Sequence, residues 1–123
     1  MTPGIYHLII YLPSDISIEV GKLGRYNFQA GYYVYTGSAM HGLDQRLARH
    51  LRSDKRLHWH IDYLLQYGQI VDVITRMTKE RHECQFNQMI MSLPKCQIPV
   101  KGFGSSDCHC LSHLAFFEKK PTL

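Results

Sequence analysis

The apolar period of this chain changes once, and abruptly. Up to residue 40, apolar residues come in short runs broken by turn residues. Ile5 to Leu12 is rich in Ile and Tyr and stops at Pro13; Ile16 to Val20 alternates Ile, Ser, Ile, Glu, Val before Gly21 and Gly24; residues 32–36 make a third run. From Leu43 the spacing becomes four, through Leu47 and Leu51. Short β-branched and aromatic runs are pleated strands, whereas a recurrence near 3.6 is an amphipathic helix. Trp59 to Tyr67, closed by Gly68, reads as a second helix, and β-branched Gln69 to Thr75 as a strand. Thr78 is the expected cap of a third helix running to about Leu93, with Phe86, Met89, Ile90 and Leu93 apolar and Pro94 ending it. Ala115 to Glu118 is a last short strand. The order β-β-β-α-α-β-α-β predicts an α/β fold, a small antiparallel β-sheet covered by about three helices, with the first three strands as a meander.

At 123 residues the chain is expected to be a single domain, 1–123, large enough to bury a core without disulfide staples. No run of 18 apolar residues occurs, so no membrane span is expected. The N-terminus shows no basic lead and no small-residue cleavage site, which makes a cytoplasmic protein the expectation.

Charge is concentrated. Residues 41–60, HGLDQRLARHLRSDKRLHWH, carry Arg46, Arg49, Arg52, Lys55 and Arg56 against Asp44 and Asp54, with four of the 8 histidines. Such a run is either a solvated helix face or a surface for a polyanion. It follows directly on GYYVYTGS, residues 31–38, where three of the 8 tyrosines lie within four positions. Alternation puts Tyr33 and Tyr35 on one face of that strand and Tyr32 on the other, toward the core. Arg46 and His50 are one helical turn apart and share a face.

These residues fall into an ordered pattern. Gly4-Ile5-Tyr6 opens the first strand, Tyr35-Thr36-Gly37 closes the third, Arg46 and His50 lie on the first helix, and Glu83 on the third. The order resembles the GIY-YIG nuclease superfamily over roughly residues 4–90. The chain is most similar to its small Uri-type group, in which stretches like Leu57 to Leu64 and Gly102 to Cys108 also recur. The resemblance implies a metal-dependent endonuclease, a hydrolase cutting phosphodiester bonds in DNA. Tyr6 and Tyr35 would stand at the active centre, Tyr6 orienting or deprotonating the attacking water. Arg46 would meet the nonbridging oxygens, and Glu83 would hold one Mg²⁺ or Mn²⁺. His50 and His58 are candidates for proton relay, with His60 the alternative to His58. Backbone phosphates would meet Arg46, Arg49, Arg52, Lys55 and Arg56, and Trp59 could stack on a base.

Two departures from the family pattern stand out. Residues 7–34 separate the two tyrosine motifs, so Ile16 to Phe28 must form an inserted strand or hairpin, and which strand pairs with which is open. The polar residue that many members carry after the glutamate helix has no clear match; Ser105 and Asp107 are substitutes. A non-catalytic nucleic-acid-binding module on the same fold is the alternative function, with a protein partner supplying targeting in either case.

The cysteines, at 84, 96, 108 and 110, suggest metal rather than disulfides in a reducing compartment. Cys108, Cys110 and His113 crowd soft ligands into six residues, and Cys84 on the third helix could complete a tetrahedral zinc site. Buried thiols beside a turn histidine are the other reading, and a zinc-stabilised interaction domain is the third functional class.

Overall fold

A computed structural model describes residues 2–106 and 108–123. Its organising element is β1 (Gly4–Leu12), which pairs antiparallel with both β4 (Gly31–Ala39) and β5 (Gln69–Met77). With β6 (Leu114–Phe117) on the far side of β4, the sheet order is β5-β1-β4-β6, antiparallel throughout. The helices are α1 (Leu43–Leu51), α2 (His60–Leu65) and α3 (Glu83–Met91). The α/β class, the small antiparallel sheet, the inserted hairpin and the three helices are all present.

The meander is not. β2 (Ile16–Val20) and β3 (Gly24–Phe28) pair only with each other, as a separate hairpin turning through a 3-10 segment at Gly21–Leu23. The third run of the sequence is therefore β4, and it lies directly beside β1. The reason is burial. β1 is buried on both faces along almost its whole length, so its neighbours must be long strands that run beside all of it; β5 does so although its own residues stay half-buried or exposed. β4 has nine residues, whereas β2 and β3 have five each and expose alternate positions.

Side-chain alternation along β1 divides the core in two. Tyr6, Leu8, Ile10 and Leu12 pack with Tyr33 against Ile18, Val20 and Phe28 of the hairpin, Ile61 and Leu64 of α2, and Phe103 of the tail. Ile9, Val34, Ala115 and Phe117 face Ile90 of α3 on the other side. Leu43 anchors α1 and Leu47 packs against the core, but Leu51 is 65% exposed, so the apolar stripe of α1 ends a turn early. Thr78 does not cap α3: its Oγ1 accepts the amide of Glu80, and the helix starts only at Glu83, behind His82. Tyr33 is fully buried and donates to the Gln29 carbonyl at 2.6 Å, while Tyr32 is half-buried on the opposite face, against Tyr11 and the smaller core cluster around Ile9 and Ile90. Among the described residues, no helix is long and apolar enough to cross a membrane.

One pairing positions the site. Tyr6 on β1 stands opposite Gly37 on β4. A Cβ at position 37 would lie 2.5 Å from the Tyr6 hydroxyl and 2.6 Å from its ring carbon, so the bare glycine is the space that the phenol fills. Gly37→Ala is expected to lower stability by about 1–3 kcal/mol in denaturant unfolding, as overpacking does. An alanine protein as stable as the parent would mean that this approach is not tight.

Candidate active site and metal centre

The β1–β4 register sets Tyr6 opposite Gly37 and Leu8 opposite Tyr35, which makes Tyr6 and Tyr35 diagonal neighbours on one face. Their ring centroids are 6.3 Å apart. α1 follows β4 almost immediately and lays Arg46 and His50 over them. His50 is buried, and its Nε2 lies 2.7 Å from the Tyr6 hydroxyl. Arg46 donates from Nη1 to the Ser38 carbonyl at 2.9 Å. Although α3 packs on the other face of the sheet, its first residue, Glu83, reaches the same space. Tyr6, Tyr35, Arg46 and Glu83, with His58, Trp59, His60 and, from the tail, Gly104 and Ser106, line a pocket of about 370 Å³, and His50 lies behind Tyr6.

Burial sets the protonation states. It pushes the Tyr6 phenol up to about 12 against the pull of Arg46. Tyr35 is held well above its ordinary value by burial and then by Tyr6 and Glu83. His50 is pushed down to about 4, by burial and then by the Lys55 ammonium. The resting pair is thus a neutral phenol on a neutral imidazole. Moving the phenolic proton onto His50 is uphill by on the order of 10 kcal/mol. Both shifts favour a phenol that keeps its proton at rest.

The basic stretch divides. Arg52 and Arg56 are exposed to solvent. Arg49 instead turns inward and donates from both Nη atoms to Asp62, each at 2.9 Å, and Lys55 donates to the Arg49 and His50 carbonyls that end α1. The cause is Asp62, fully buried three residues into the α2 turn, whose carboxylate also accepts the His58 and Trp59 amides. Burial pushes Asp62 up, but the Arg49 fork and those amides win and hold it below its ordinary value. A buried carboxylate left without these partners would be costly. The expectation that Arg49 and Lys55 face phosphate is therefore corrected. Trp59 is also not a free stacking platform: the guanidinium carbons of Arg46 and Arg49 lie 4.4 and 4.1 Å from its ring centroid.

Both candidate histidines border the pocket. His58 is exposed, whereas His60 accepts the Gly104 amide at Nδ1 over 2.8 Å and so holds the tail against the site. Arg81 and His41 line the pocket and escaped the sequence reading. Arg81 had a signal, two positions before Glu83. Asp62 had one too, at the third helical position behind Trp59, where an acid caps the backbone. Ser105 is buried and its neighbour Ser106 borders the pocket; Asp107 lies outside the described residues.

Cys84, Cys108, Cys110 and His113 converge, with ligand atoms all within 4.8 Å of one another. His113 Nε2 is 3.3 Å from Cys108 Sγ and 3.7 Å from Cys84 Sγ. Around a tetrahedral zinc ion, sulfur and nitrogen ligands would stand about 3.5 Å apart. The Nδ1 of His113 lies 3.0 Å from the Thr36 carbonyl, which requires a proton on Nδ1 and leaves the Nε2 lone pair facing the sulfurs. Burial and the neighbouring sulfurs raise the Cys84 thiol, and burial first of all raises Cys110, so these two thiols hold their protons while the site is bare. The four residues could hold a metal ion. Cys96 stands apart, next to Met91.

Acid sensitivity follows from two buried histidines. His7 lies against Thr36 with its Nε2 unpartnered, and burial, then Arg76, pushes it down to about 4, as for His50. In the unfolded chain both would take a proton near 6.5. Between pH 6.5 and 4 the unfolded state therefore binds more protons, and stability falls on acidification through that window and is fully present above it. Each histidine contributes at most about 3 kcal/mol. Thermal unfolding at pH 7 and pH 4.5 is expected to show a lower Tm in acid, with a smaller difference in His50→Gln. Equal slopes for parent and variant would contradict the assignment.

No curated protein and no solved structure matches the chain. The sequence profile of one family matches residues 5–123, nearly the whole length. The chain belongs to that family, described as Domain of unknown function DUF123.

Proposed function

We propose that the protein is an endonuclease of the GIY-YIG type that hydrolyses phosphodiester bonds in DNA. The observation that carries this reading is the 2.7 Å hydrogen bond between Tyr6 and His50 on the floor of a pocket that Tyr35, Arg46 and Glu83 also line. With the Tyr6 hydroxyl donating to His50 Nε2, its oxygen faces the pocket as an acceptor. An attacking water passes a proton to that oxygen as the phenolic proton moves to His50, and the water oxygen bonds to phosphorus. Burial and the Lys55 ammonium oppose the imidazolium that forms, and Asp62 offsets part of that cost. Arg46 keeps guanidinium donors beyond the one given to Ser38, and these meet the nonbridging oxygens. His58 at the rim is placed to deliver a proton to the departing oxygen.

Glu83 makes no ion pair among the described residues. It offers a hard oxygen donor beside open space, which fits a largely hydrated Mg²⁺ or Mn²⁺. Such an ion would supply charge neutralisation at the leaving oxygen. The softer set of Cys84, Cys108, Cys110 and His113 fits Zn²⁺ in a closed, structural site.

Cleavage is tested on duplex, single-stranded and branched DNA and on RNA, with Mg²⁺, Mn²⁺ or EDTA. Tyr6→Phe and His50→Ala are expected to lose about 10²–10⁴-fold in rate. Glu83→Ala should abolish metal-dependent cutting, and Tyr35→Phe should lose far more than Tyr32→Phe. If Glu83→Ala cuts like the parent, the mechanism is wrong. Salt-sensitive binding with no cleavage of any substrate would favour a binding module instead. Elemental analysis should find about one zinc per chain, lost in Cys110→Ser.

A further inference from the structure

The cysteine cluster sits where two walls of the pocket meet. Cys84 directly follows Glu83 on α3. Cys108, Cys110 and His113 close the loop that carries Gly104 and Ser106. The first turn of α3 has no side-chain cap. Asn87, one turn further on, is tied to the tail through its Nδ2 and the Ser112 carbonyl at 2.7 Å, but that bond leaves the turn bearing Glu83 to Cys84. On the tail side His113 is firmly held. Its amide donates to Phe103, its carbonyl accepts the Thr36 amide at 3.1 Å, and its Nδ1 donates to the Thr36 carbonyl at 3.0 Å. Thr36 is the residue of β4 between Tyr35 and Gly37.

We propose that a cation bound by Cys84, Cys108, Cys110 and His113 clamps Glu83 and the Gly104–Ser106 wall against Tyr6 and Tyr35. Cys84 is then a positioning residue. One side of it carries the carboxylate, and the other is joined through the cation and His113 to the strand that carries Tyr35. Filling the sulfur site tunes the oxygen site: without the cation, the turn bearing Glu83 and Cys84 meets the tail, among the described residues, through weak thiol contacts, and Glu83 loses its fixed distance from the tyrosines. The consequence for divalent binding at Glu83 rests on the nuclease reading; the clamp itself does not.

The test compares zinc-loaded protein, chelator-stripped protein, stripped protein refilled with Zn²⁺ or Co²⁺, and the variants Cys84→Ser and Cys108→Ser. Cobalt reports filling through its thiolate charge-transfer absorbance. Hydrogen exchange is followed at residues 83–88 and 102–106, and Mn²⁺ affinity by the magnetic resonance signal of the free ion. Stripping is expected to raise exchange at both segments, leave β1 protected, and weaken Mn²⁺ binding by about 10–100-fold, as loss of an outer-shell support does. Refilling should restore both, and excess Mn²⁺ should rescue cleavage by stripped protein. Unchanged exchange at both segments in stripped protein, with the cobalt band proving that the site can fill, would overturn the clamp. So would a parent protein that takes up neither metal. If exchange responds but Mn²⁺ binding is the same in Glu83→Ala and no substrate is cut, the clamp stands and the nuclease reading falls.

Discussion

The Tyr6 ring is buried against the main core with its hydroxyl at the floor of the pocket, and much of the molecule is arranged around that fact. A phenol in that position needs a partner. His50 supplies it, which requires α1 to start close behind β4 and to turn its Arg46–His50 face downward. The ring also needs room, which Gly37 gives by having no side chain. β1 and β4 must therefore be adjacent, and the hairpin between them in sequence is displaced onto the face of the sheet. Fold and site thus share one constraint.

A second buried polar group supports the first. Asp62 collects Arg49 and two backbone amides, and Arg49 and Arg46 hold Trp59 between α1 and α2. The residues that look in sequence like one basic surface do two jobs. Arg49 and Lys55 secure the helix junction, while Arg46 is left to reach into the pocket with Arg81 near its mouth. This narrows the surface available to a polyanion to the pocket rim and to Arg52 and Arg56. Such a layout suits a short contact centred on one phosphate better than a long binding track.

The regular part of the fold was legible because burial imposes period. The Leu43–Leu47 spacing, the β-branched run at β5 and the dense apolar β1 all read correctly. β3 was legible only as part of an inserted strand or hairpin over Ile16 to Phe28, because Gly-Arg-Tyr-Asn-Phe is short and buries only its last residue. The start of α3 was misplaced because Thr78 is a good cap by type but spends its oxygen on a local turn. Tyr6, Tyr35, Arg46, His50 and Glu83 stand out by their order along the chain; Tyr6, Tyr35, Arg46 and Glu83 line one pocket, and His50 bonds to Tyr6 behind it. Arg49 and Arg52 could not be told apart from sequence. They are three residues apart, one in the last turn of α1 and one just past its end, and the distant Asp62 distinguishes them. The soft-ligand cluster was visible as spacing, but its tie to Thr36 depends on β4 lying next to the tail.

The central claim is that the buried Tyr6 phenol moves a proton during strand cleavage. It is tested most directly by placing fluorinated tyrosines of decreasing phenol pKa at position 6 and measuring single-turnover cleavage against pH. The account expects the single-turnover rate at a given pH to change in step with the phenol pKa along the series, with zinc content unchanged. A profile that stays fixed across the series would show that the phenol only packs against His50, and would contradict the account.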